Sequence, residues 1–461
     1  MLHFKTTYKS KIEKAGRFDA RYFYLEDVLQ KFNEREDFEL IKLGNPKVLK
    51  TITDGEHAGQ NFVDEGILFI KNSSIKDFDI SLNDGFYIEK WKHEEQKRSN
   101  LKPKDVLFTT IGHIGSATIV PENFCEANIN QNLVKIEINE DYINPYYVAA
   151  YLNSYLVKEQ INCLFTGNIH GILTYPKIKN LEIVVPPKAF QDNIANLFKK
   201  AIEYTEKSNE IVANAIDKFE EYLEIPEELI DYSKTYSTNR DSLLKNNNWI
   251  PKLYLPEYTT TLEEVEKKWE TKPLVGKNGV ALMFKGDEVG SDNYSKYLEK
   301  NDDDVPFIRT SDIYNWQVDQ NPDFFIPIEI FNELEQKILE NDILFTKDGR
   351  IGKTAYVTSE DRLIASSGVS IIRAKNIDPY YLFLVLTSDY IGQFQAIQHT
   401  VYASTIPHLR ESKISNFRIP ILPKEKIEEL SKMTKTAMDL KNKRKKLIKE
   451  IRQTINTYLI S

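Results

Sequence analysis

The chain has 461 residues, more than one ordinary domain holds, and its 41% hydrophobic and 28% charged residues are typical of a globular protein with substantial cores. The two cysteines lie far apart and the longest apolar runs have seven residues, which argues against a disulfide framework, a zinc site or a membrane span and favours a reducing cytoplasm. The formal net charge of −8 argues mildly against nucleic acid, but residues 424–452 carry eleven Lys/Arg against five Asp/Glu, so the mean charge does not exclude DNA binding.

The first half of the chain has the pattern of a mixed α/β domain. Strands are predicted at Leu107–Thr109 and Ala117–Val120, on either side of a turn that contains glycine. Asn144 followed by proline has the pattern of an N-cap with proline at the first helical position, which predicts a helix over Tyr146–Tyr155. A short strand over Leu181–Val185 then ends at two prolines.

Long amphipathic helices are predicted after this strand and again near residue 430. The three-four spacing runs through Phe190, Ile194, Leu197, Ala201, Thr205, Ser208, Ile211, Ala215, Phe219 and Tyr222, and then through Leu430, Met433, Ala437, Leu440, Arg444, Leu447, Ile451 and Tyr458. A stripe this narrow, sustained over roughly 34 residues, is typical of a coiled-coil seam. The alternative is one face of an ordinary core helix.

The second half of the chain repeats the first. Asp105–Val120 aligns without gaps on Asp342–Val357, with eight identities in sixteen positions. Neighbouring motifs recur in the same order at offsets of 231 to 238 residues, which indicates a tandem duplication. These pairs are Arg17–Phe23 with Asn248–Tyr254, Ile67–Ile75 with Val305–Ile313, Asn144–Tyr147 with Asp378–Tyr381, Leu152–Ser154 with Leu386–Ser388, and Ile178–Ile183 with Ile414–Ile419. The duplication predicts strands at Leu344–Thr346, Thr354–Val357 and Phe417–Leu422 and a helix over Tyr380–Ile391.

Motifs for catalysis or metal binding are incomplete. Gly352-Lys353-Thr354 ends like a phosphate-binding loop, but Lys347 occupies the position of the required first glycine, so a turn between strands is the better interpretation. Asn144-Pro-Tyr-Tyr is similar to the target-amine loop of amino-methyltransferases but lacks its second proline. The seven histidines occur singly, without the spacing of a metal pair. We therefore expect neither a catalytic centre nor a metal site in this chain.

The order of these motifs resembles that of the specificity (S) subunit of type I restriction–modification systems. The resemblance rests on an Arg17-x-Asp-x-x-Tyr opening, a Leu-Phe-Thr and Gly-x-Ile-Gly hairpin, a Pro-Tyr-Tyr helix and a proline-terminated strand before a long helix, all doubled. It covers nearly the whole chain. The second opening lacks the acid, and Pro423-Lys-Glu-Lys replaces the usual Pro-x-x-Glu-Gln pattern.

This resemblance implies an α+β fold with two tandem duplicated target recognition domains, each mixed α/β with small sheets. Two long antiparallel coiled-coil helices would separate the domains in a pseudo-twofold symmetric arrangement. The implied boundaries are 1–188 for the first recognition domain, 189–225 for the first spacer helix, 226–423 for a linker and the second recognition domain, and 424–461 for the second spacer helix.

The resemblance also implies a function without catalysis in this chain. The protein would read an asymmetric bipartite target in double-stranded DNA, with the helices, roughly 50 Å long, as spacer. It would dock two methyltransferase subunits, and restriction or motor subunits in systems that contain them. No cofactor is expected in this chain, because S-adenosylmethionine would be bound by the methyltransferase subunit.

The candidate DNA-binding residues are polar side chains in loops near the repeated motifs, since such side chains can contact base edges in the major groove. In the first repeat they are Lys71, Asn72, Ser73, Thr110, His113 and His170; in the second they are Arg309, Thr310, Lys347, Arg350, Lys353 and Tyr402. The alternative for each is contact with phosphate or solvent only. Matched positions differ, as Thr110 and His113 differ from Lys347 and Arg350, which predicts unlike half-sites.

Three other functions stay open. They are a restriction–methylation enzyme cut short, a DNA-reading subunit of another phage-defence methylation system with the same fold, and a scaffold without DNA contact. The duplication leaves little room for the catalytic domain that the first would need. Salt-dependent duplex binding separates the third from a DNA-reading subunit.

Overall fold

The computed structural model describes residues 7, 9–57, 59–82, 85–165, 171–226, 240, 250–287, 303–334, 337–402 and 406–460. The chain divides into two compact units, Met1–Ile202 with Lys446–Ser461 and Glu203–Lys445. Each unit therefore contains one repeat and segments of both long helices.

The first unit has small sheets packed with short helices. Its helices are α1 (Lys9–Ala15), α2 (Ala20–Asn33), α3 (Lys90–Glu95), α4 (Pro145–Tyr151), α5 (Tyr155–Leu164) and α6 (Tyr175–Lys179), with single 3-10 turns at Asn72–Ser74 and Lys97–Ser99. Its strands are β1 (Glu39–Lys42), β2 (Leu49–Asp54), β3 (Ile67–Ile70), β4 (Ile75–Lys76), β5 (Asp79–Ile80), β6 (Phe86–Ile88), β7 (Val106–Thr109), β8 (Ala117–Ile119), β9 (Ala127–Ile129), β10 (Leu133–Ile138) and β11 (Glu182–Val185). The first long helix, α7 (Lys188–Leu223), follows.

The second unit has the same elements in the same order. Its helices are α8 (Pro256–Lys268), α9 (Ile328–Glu333), α10 (Pro379–Thr387), α11 (Phe394–His399) and α12 (Glu411–Ser415), with 3-10 turns at Pro251–Tyr254 and Thr310–Asp312 and a π-helical turn at Asp389–Gln393. Its strands are β12 (Glu270–Pro273), β13 (Ala281–Lys285), β14 (Val305–Ile308), β15 (Ile313–Tyr314), β16 (Gln317–Val318), β17 (Phe325–Ile326), β18 (Ile343–Thr346), β19 (Thr354–Tyr356), β20 (Ile364–Ala365), β21 (Val369–Ala374) and β22 (Arg418–Ile421). The second long helix is α13 (Lys424–Ile460).

The sheets are duplicated strand for strand. The four-stranded sheet β2-β10-β7-β8 has its counterpart in β13-β21-β18-β19, and the three-stranded sheet β6-β3-β9 has its counterpart in β17-β14-β20. The pairs β1-β11 and β4-β5 likewise correspond to β12-β22 and β15-β16. The predicted fold class, with two duplicated mixed α/β domains and long coiled-coil helices, is confirmed.

One fully buried helix forms the centre of each core. All seven residues of α4 are buried, and α10 is buried from Tyr381 to Thr387. A tyrosine hydroxyl on each helix donates to a strand carbonyl, Tyr147 to Val184 at 2.8 Å and Tyr381 to Pro420 at 2.9 Å. These buried bonds satisfy the polar tip of a side chain whose ring belongs to the core.

Both predicted helix starts are confirmed, but the predicted ends are wrong. Asn144 and Asp378 cap α4 and α10 by accepting backbone N–H bonds at 3.0 and 2.9 Å. The predicted helix Tyr146–Tyr155 stops at Tyr151, and Ser154 then caps a separate helix by accepting from the Val157 amide. The predicted helix over residues 380–391 likewise stops at Thr387, because Ser388 has extended backbone geometry.

The two long helices run antiparallel within each unit. In the first unit the rings of Phe190 and Tyr458 lie 4.2 Å apart, and in the second Tyr222 donates to Glu429 at 2.6 Å while Lys441 donates to Asn209 at 2.8 Å. Low-numbered residues of α7 thus meet high-numbered residues of α13. The predicted seam is displaced at three positions, where Phe198, Val212 and Leu223 are fully buried instead of Leu197, Ile211 and Tyr222. Across the described residues, the apolar stretch that a bilayer-spanning helix requires is not found.

Candidate nucleic-acid interface

A single threonine organises the hairpin turn of each repeat. In the first unit the Thr109 hydroxyl donates to the carbonyl of His113 and accepts from the Ser116 amide at 2.9 Å. Gly112 and Gly115 have φ angles of +78° and +91°, which side chains with a Cβ rarely adopt. The Gly-x-Ile-Gly pattern therefore specifies this turn.

The second unit repeats the turn atom for atom. Thr346 donates to the carbonyl of Arg350 and accepts from the Lys353 amide at 2.9 Å. Gly349 and Gly352 have φ angles of +67° and +84°. The same backbone thus presents a histidine in one repeat and an arginine in the other.

The first unit gathers the described candidate residues into one loop cluster. Asn72 Nδ2 donates to the carbonyl oxygen of Ile111 at 2.9 Å, which joins the 3-10 turn to the hairpin turn. The Leu173 amide donates to the carbonyl of Thr110 at 3.0 Å, which adds the loop before α6. We call residues 71–74, 110–116 and 171–173 the first loop cluster. The candidate His170 lies outside the described residues.

Side chains of the first loop cluster differ in access to solvent. Ser73 is exposed and His113 is half-buried. Thr110 is 4% exposed, and its hydroxyl donates to the Asn132 carbonyl at 3.1 Å. The Lys71 ammonium lies 4.4 Å from the ring centre of Phe62 and 3.2 Å from that of Phe86.

A corresponding loop cluster exists in the second unit. The Leu409 amide donates to the Lys347 carbonyl at 2.8 Å, and the Gly349 amide donates to the Pro407 carbonyl at 2.9 Å. Lys347 in turn donates its amide to Gly368 at 2.9 Å, and a Cβ added at Gly368 would lie 3.1 Å from Thr310 Cγ2. We call residues 309–312, 347–353, 366–368 and the described part of 400–409 the second loop cluster.

Two of its basic residues are held by acids. Lys347 is 4% exposed and forms an ion pair with Glu411. Arg309 donates to Asp323 at 2.8 Å, and its guanidinium lies 4.2 Å from the ring centre of Phe324. Charge from these two side chains is therefore partly neutralised within the domain.

The other candidates of the second loop cluster are more accessible. Arg350 and Lys353 are half-buried, and Tyr402 is 46% exposed. Asp348 and His408, which the sequence did not single out, are hydrogen-bonded to each other across the cluster. His399, just before this loop, has its pKa lowered to about 4 by burial and by the nearby Lys413, so it is neutral at pH 7.

Aromatic rings beneath the basic residues escaped the sequence reasoning. Phe86 and Phe324 stand at the same offset, 238 residues, as Lys71 and Arg309. Each ring carries the cation of its own repeat, an interaction that orients a long flexible side chain. The shared offset was the available signal. Among the described residues, no group of three or more His, Cys, Asp or Glu is placed to hold a metal ion.

A model of one protein family matches the chain twice. The family is described as the type I restriction modification DNA specificity domain, and the matched residues are 36–216 and 285–451, about three quarters of the chain. The chain belongs to this family. Each match includes one hairpin turn and its loop cluster, so the resemblance inferred from the repeated motifs is confirmed.

Similar full-length proteins carry related names. This specificity-domain protein is 21% identical over 456 residues to the putative type I restriction enzyme MjaX specificity subunit of Methanocaldococcus jannaschii, covering 94% of this chain and 98% of that one. Among solved structures, the type I restriction–modification S subunit from M. genitalium matches with a TM-score of 0.33 and 15% identity, covering 92% of this chain and 94% of the other. The HsdS subunit from Thermoanaerobacter tengcongensis matches with a TM-score of 0.29 and 14% identity, covering 92% and 96%.

Proposed function

We propose that this chain is the DNA sequence-recognition subunit of a type I restriction–modification complex. Each loop cluster would read one half of an asymmetric bipartite target, while the chain itself carries out no chemistry. The observation that supports this most directly is the pair of hairpin turns, which share one backbone geometry and present different side chains. A shared frame with unlike contact residues suits the reading of unlike half-sites.

The accessible side chains of the clusters are our candidates for direct DNA contact. In the first cluster these are Lys71, Ser73 and His113, and in the second Arg309, Arg350, Lys353 and Tyr402. The remaining described candidates, Asn72, Thr110, Thr310 and Lys347, would hold the loops in position. This division follows from burial and from the hydrogen bonds within each domain. Contact by His170 stays a prediction.

Arginine at position 350 offers the sharpest test of base reading. Its guanidinium can donate two hydrogen bonds to guanine, whereas the histidine at the matched position 113 has one ring to offer. An Arg350→Lys variant would retain the charge and lose the paired donors. We expect it to relax base preference in the second half-site alone.

We further propose that two methyltransferase subunits dock on this chain and bind S-adenosylmethionine, with restriction or motor subunits as further partners. The basic segment 424–452 lies in α13, so one long helix carries a local excess of positive charge in an acidic protein. That charge is available to acidic partner surfaces or to the DNA backbone.

The test is to express the chain with and without the partner methyltransferase and map modified adenines in cellular DNA. We expect a bipartite motif with two different halves only when both proteins are present. Duplex binding by the purified complex should weaken steeply as salt rises, because phosphate contacts release counterions. Methylation by the isolated chain, or binding that ignores both salt and sequence, would contradict the proposal.

A further inference from the structure

The segment that follows β19 contacts the second long helix through a fully buried ion pair. Lys445 Nζ donates to the two carboxylate oxygens of Asp361 at 2.7 and 2.6 Å, and to the hydroxyl of Thr358 at 3.1 Å. The side chains of Lys445 and Asp361 are 2% and 0% exposed. Both residues belong to the second compact unit.

Neighbouring residues extend this contact along one side of α13. Asn442 Nδ2 donates to the Ser359 hydroxyl at 2.9 Å, and the Glu360 amide donates to Asn442 Oδ1 at 3.2 Å. The Lys441 ammonium lies 5.8 Å from the ring centre of Trp316. Residues 441, 442 and 445 thus hold two separate loops of the second recognition domain.

The carboxylate is also fixed from the domain side. Asp361 accepts from the Thr358 amide at 2.7 Å, from the Thr358 hydroxyl at 2.8 Å and from the Gln320 amide group at 2.7 Å. These bonds leave the carboxylate little freedom to turn. The position of the Lys445 ammonium is therefore coupled to the orientation of the domain.

A buried ion pair contributes little net stability, because removing two charges from water offsets most of their attraction. Its directional hydrogen bonds, in contrast, penalise rotation strongly. We propose that the Asp361–Lys445 pair sets the orientation of the second recognition domain on α13, and thereby the spacing at which its loops meet the second half-site. The spacing part of this inference rests on the proposed function.

The first unit has a different anchor. Arg452 donates to Asp77 at 2.6 Å and stacks over Phe78 at 5.0 Å, but the arginine side chain is 25% exposed. Asp77 and Phe78 form a tight turn with φ angles of +43° and +66°. The buried anchor is thus a feature of the second domain, and its loss should affect one half-site only.

The orientation can be measured without DNA. Spin labels at Glu329→Cys on α9 and Lys432→Cys on α13, with both native cysteines replaced, report the distance between domain and helix; residues 329 and 432 are exposed. The double variant Asp361→Asn with Lys445→Met removes both charges and retains a side-chain acceptor for Thr358. We expect its distance distribution to broaden clearly relative to that of the parent protein.

A matched control lies on the same helix. Lys435 and Asp439 form an exposed ion pair at 2.8 Å, with side chains 55% and 54% exposed. Lys435→Met with Asp439→Asn makes the same charge change at the surface, and we expect an unchanged distribution. Asn442→Ala serves as a milder second variant, since it loosens the same contact without leaving a buried charge. Equal distributions for the parent and both anchor variants would overturn the inference.

The spacing is measured with the assembled complex. Duplexes with the native spacer, or with one base pair added or removed, are compared for binding. We expect the double anchor variant to lose several-fold of the parent's discrimination against altered spacers, with unchanged base preference in the first half-site. Full discrimination in the anchor variant would overturn the spacing part. A parent complex that binds no bipartite duplex would instead refute the proposed function, while the label distances would still decide the orientation.

Discussion

At the scale of single residues, the hairpin threonines explain how one loop shape can carry different contact residues. Thr109 and Thr346 are both 0% exposed and each bonds to two backbone groups of its turn. The turn is therefore held from beneath, by a buried hydroxyl, and its outward side chains do not have to maintain it. Substitutions at His113 or Arg350 should alter DNA contacts with little effect on the fold.

Removing the hydroxyl should destabilise the first unit. Thr109→Val keeps the shape of the side chain but leaves the Ser116 amide and the His113 carbonyl without this partner, and we expect a loss of about 1–3 kcal/mol in the free energy of unfolding. Urea-dependent hydrogen exchange of peptides from β7 and β10 measures it.

The matched control for this substitution is Thr53→Val in the same four-stranded sheet. The Thr53 hydroxyl oxygen is buried and has no hydrogen-bond partner among the described residues. Valine also suits strands well, so no loss is expected. Equal losses for both variants would contradict the role we assign to Thr109.

Prediction from sequence worked for this backbone and failed for its side chains. The paired glycines and the threonine stand within eight residues of one another, so the turn is encoded locally. The fate of Lys347, in contrast, depends on Glu411, which lies 64 residues further along the chain. Burial of Thr110 depends similarly on Asn132. Such partners become visible only in the fold.

At the scale of elements, paired side-chain bonds attach helices to strands in both repeats. Gln160 exchanges two hydrogen bonds with the backbone of Glu182, at 3.0 and 2.7 Å, and Gln395 does the same with Arg418 at 3.1 and 2.7 Å. Each glutamine thereby replaces a missing backbone partner of its strand. Helix starts could be predicted because caps and prolines are local signals, whereas helix ends at Tyr151 and Thr387 follow from these longer-range attachments.

The start of the π-helical turn depends on a glutamate of α7. Glu220 Oε1 accepts from the Asp389 amide at 2.8 Å and from the Tyr390 amide at 3.2 Å. Burial raises the pKa of this carboxyl to about 7, and the nearby Asp389 adds to the rise. Because the folded pKa exceeds the unfolded one, the associated stability is full below about pH 4.5 and is lost as pH rises through 7.

Glu220→Gln should therefore become increasingly stabilising with pH. Glutamine keeps the acceptor oxygen and never ionises, so we expect the variant to gain on the parent between pH 4.5 and 7, by up to about 3 kcal/mol. Urea unfolding followed by tryptophan fluorescence in a Trp91→Phe background reports on the second unit, which holds the remaining tryptophans. The control is Glu221→Gln at an exposed neighbour. A flat difference for Glu220→Gln across this range would contradict the assignment.

At the scale of the whole molecule, the duplication made the architecture predictable. Two copies of each motif distinguish a real signal from a chance match, and the sheets indeed recur in the same strand order. The seam of the long helices was harder to predict, since Thr205, Ser208 and Arg444 are buried in it together with apolar residues. A hydrophobic stripe alone does not identify such positions.

Exchanging residues 1–188 for the matching segment of another family member should change one half-site and leave the other intact. The physical reason is that the first loop cluster forms its bonds within this segment. Sequencing of modified adenines in cells that carry the hybrid and its methyltransferase measures the outcome. Two altered halves, or none, would show that base reading is not modular. The parent chain and a reciprocal exchange of 226–423 serve as controls.

The composition of the first compact unit also has a consequence for biosynthesis. Residues 446–460 pack with a domain whose other residues all precede position 203. While the ribosome is still translating the intervening 243 residues, Ile194 and Phe198 lack the apolar cover of Ile451 and Ile455. Closing contacts over so long a stretch of chain is slow. The nascent first domain should therefore need chaperone protection until translation has passed residue 460.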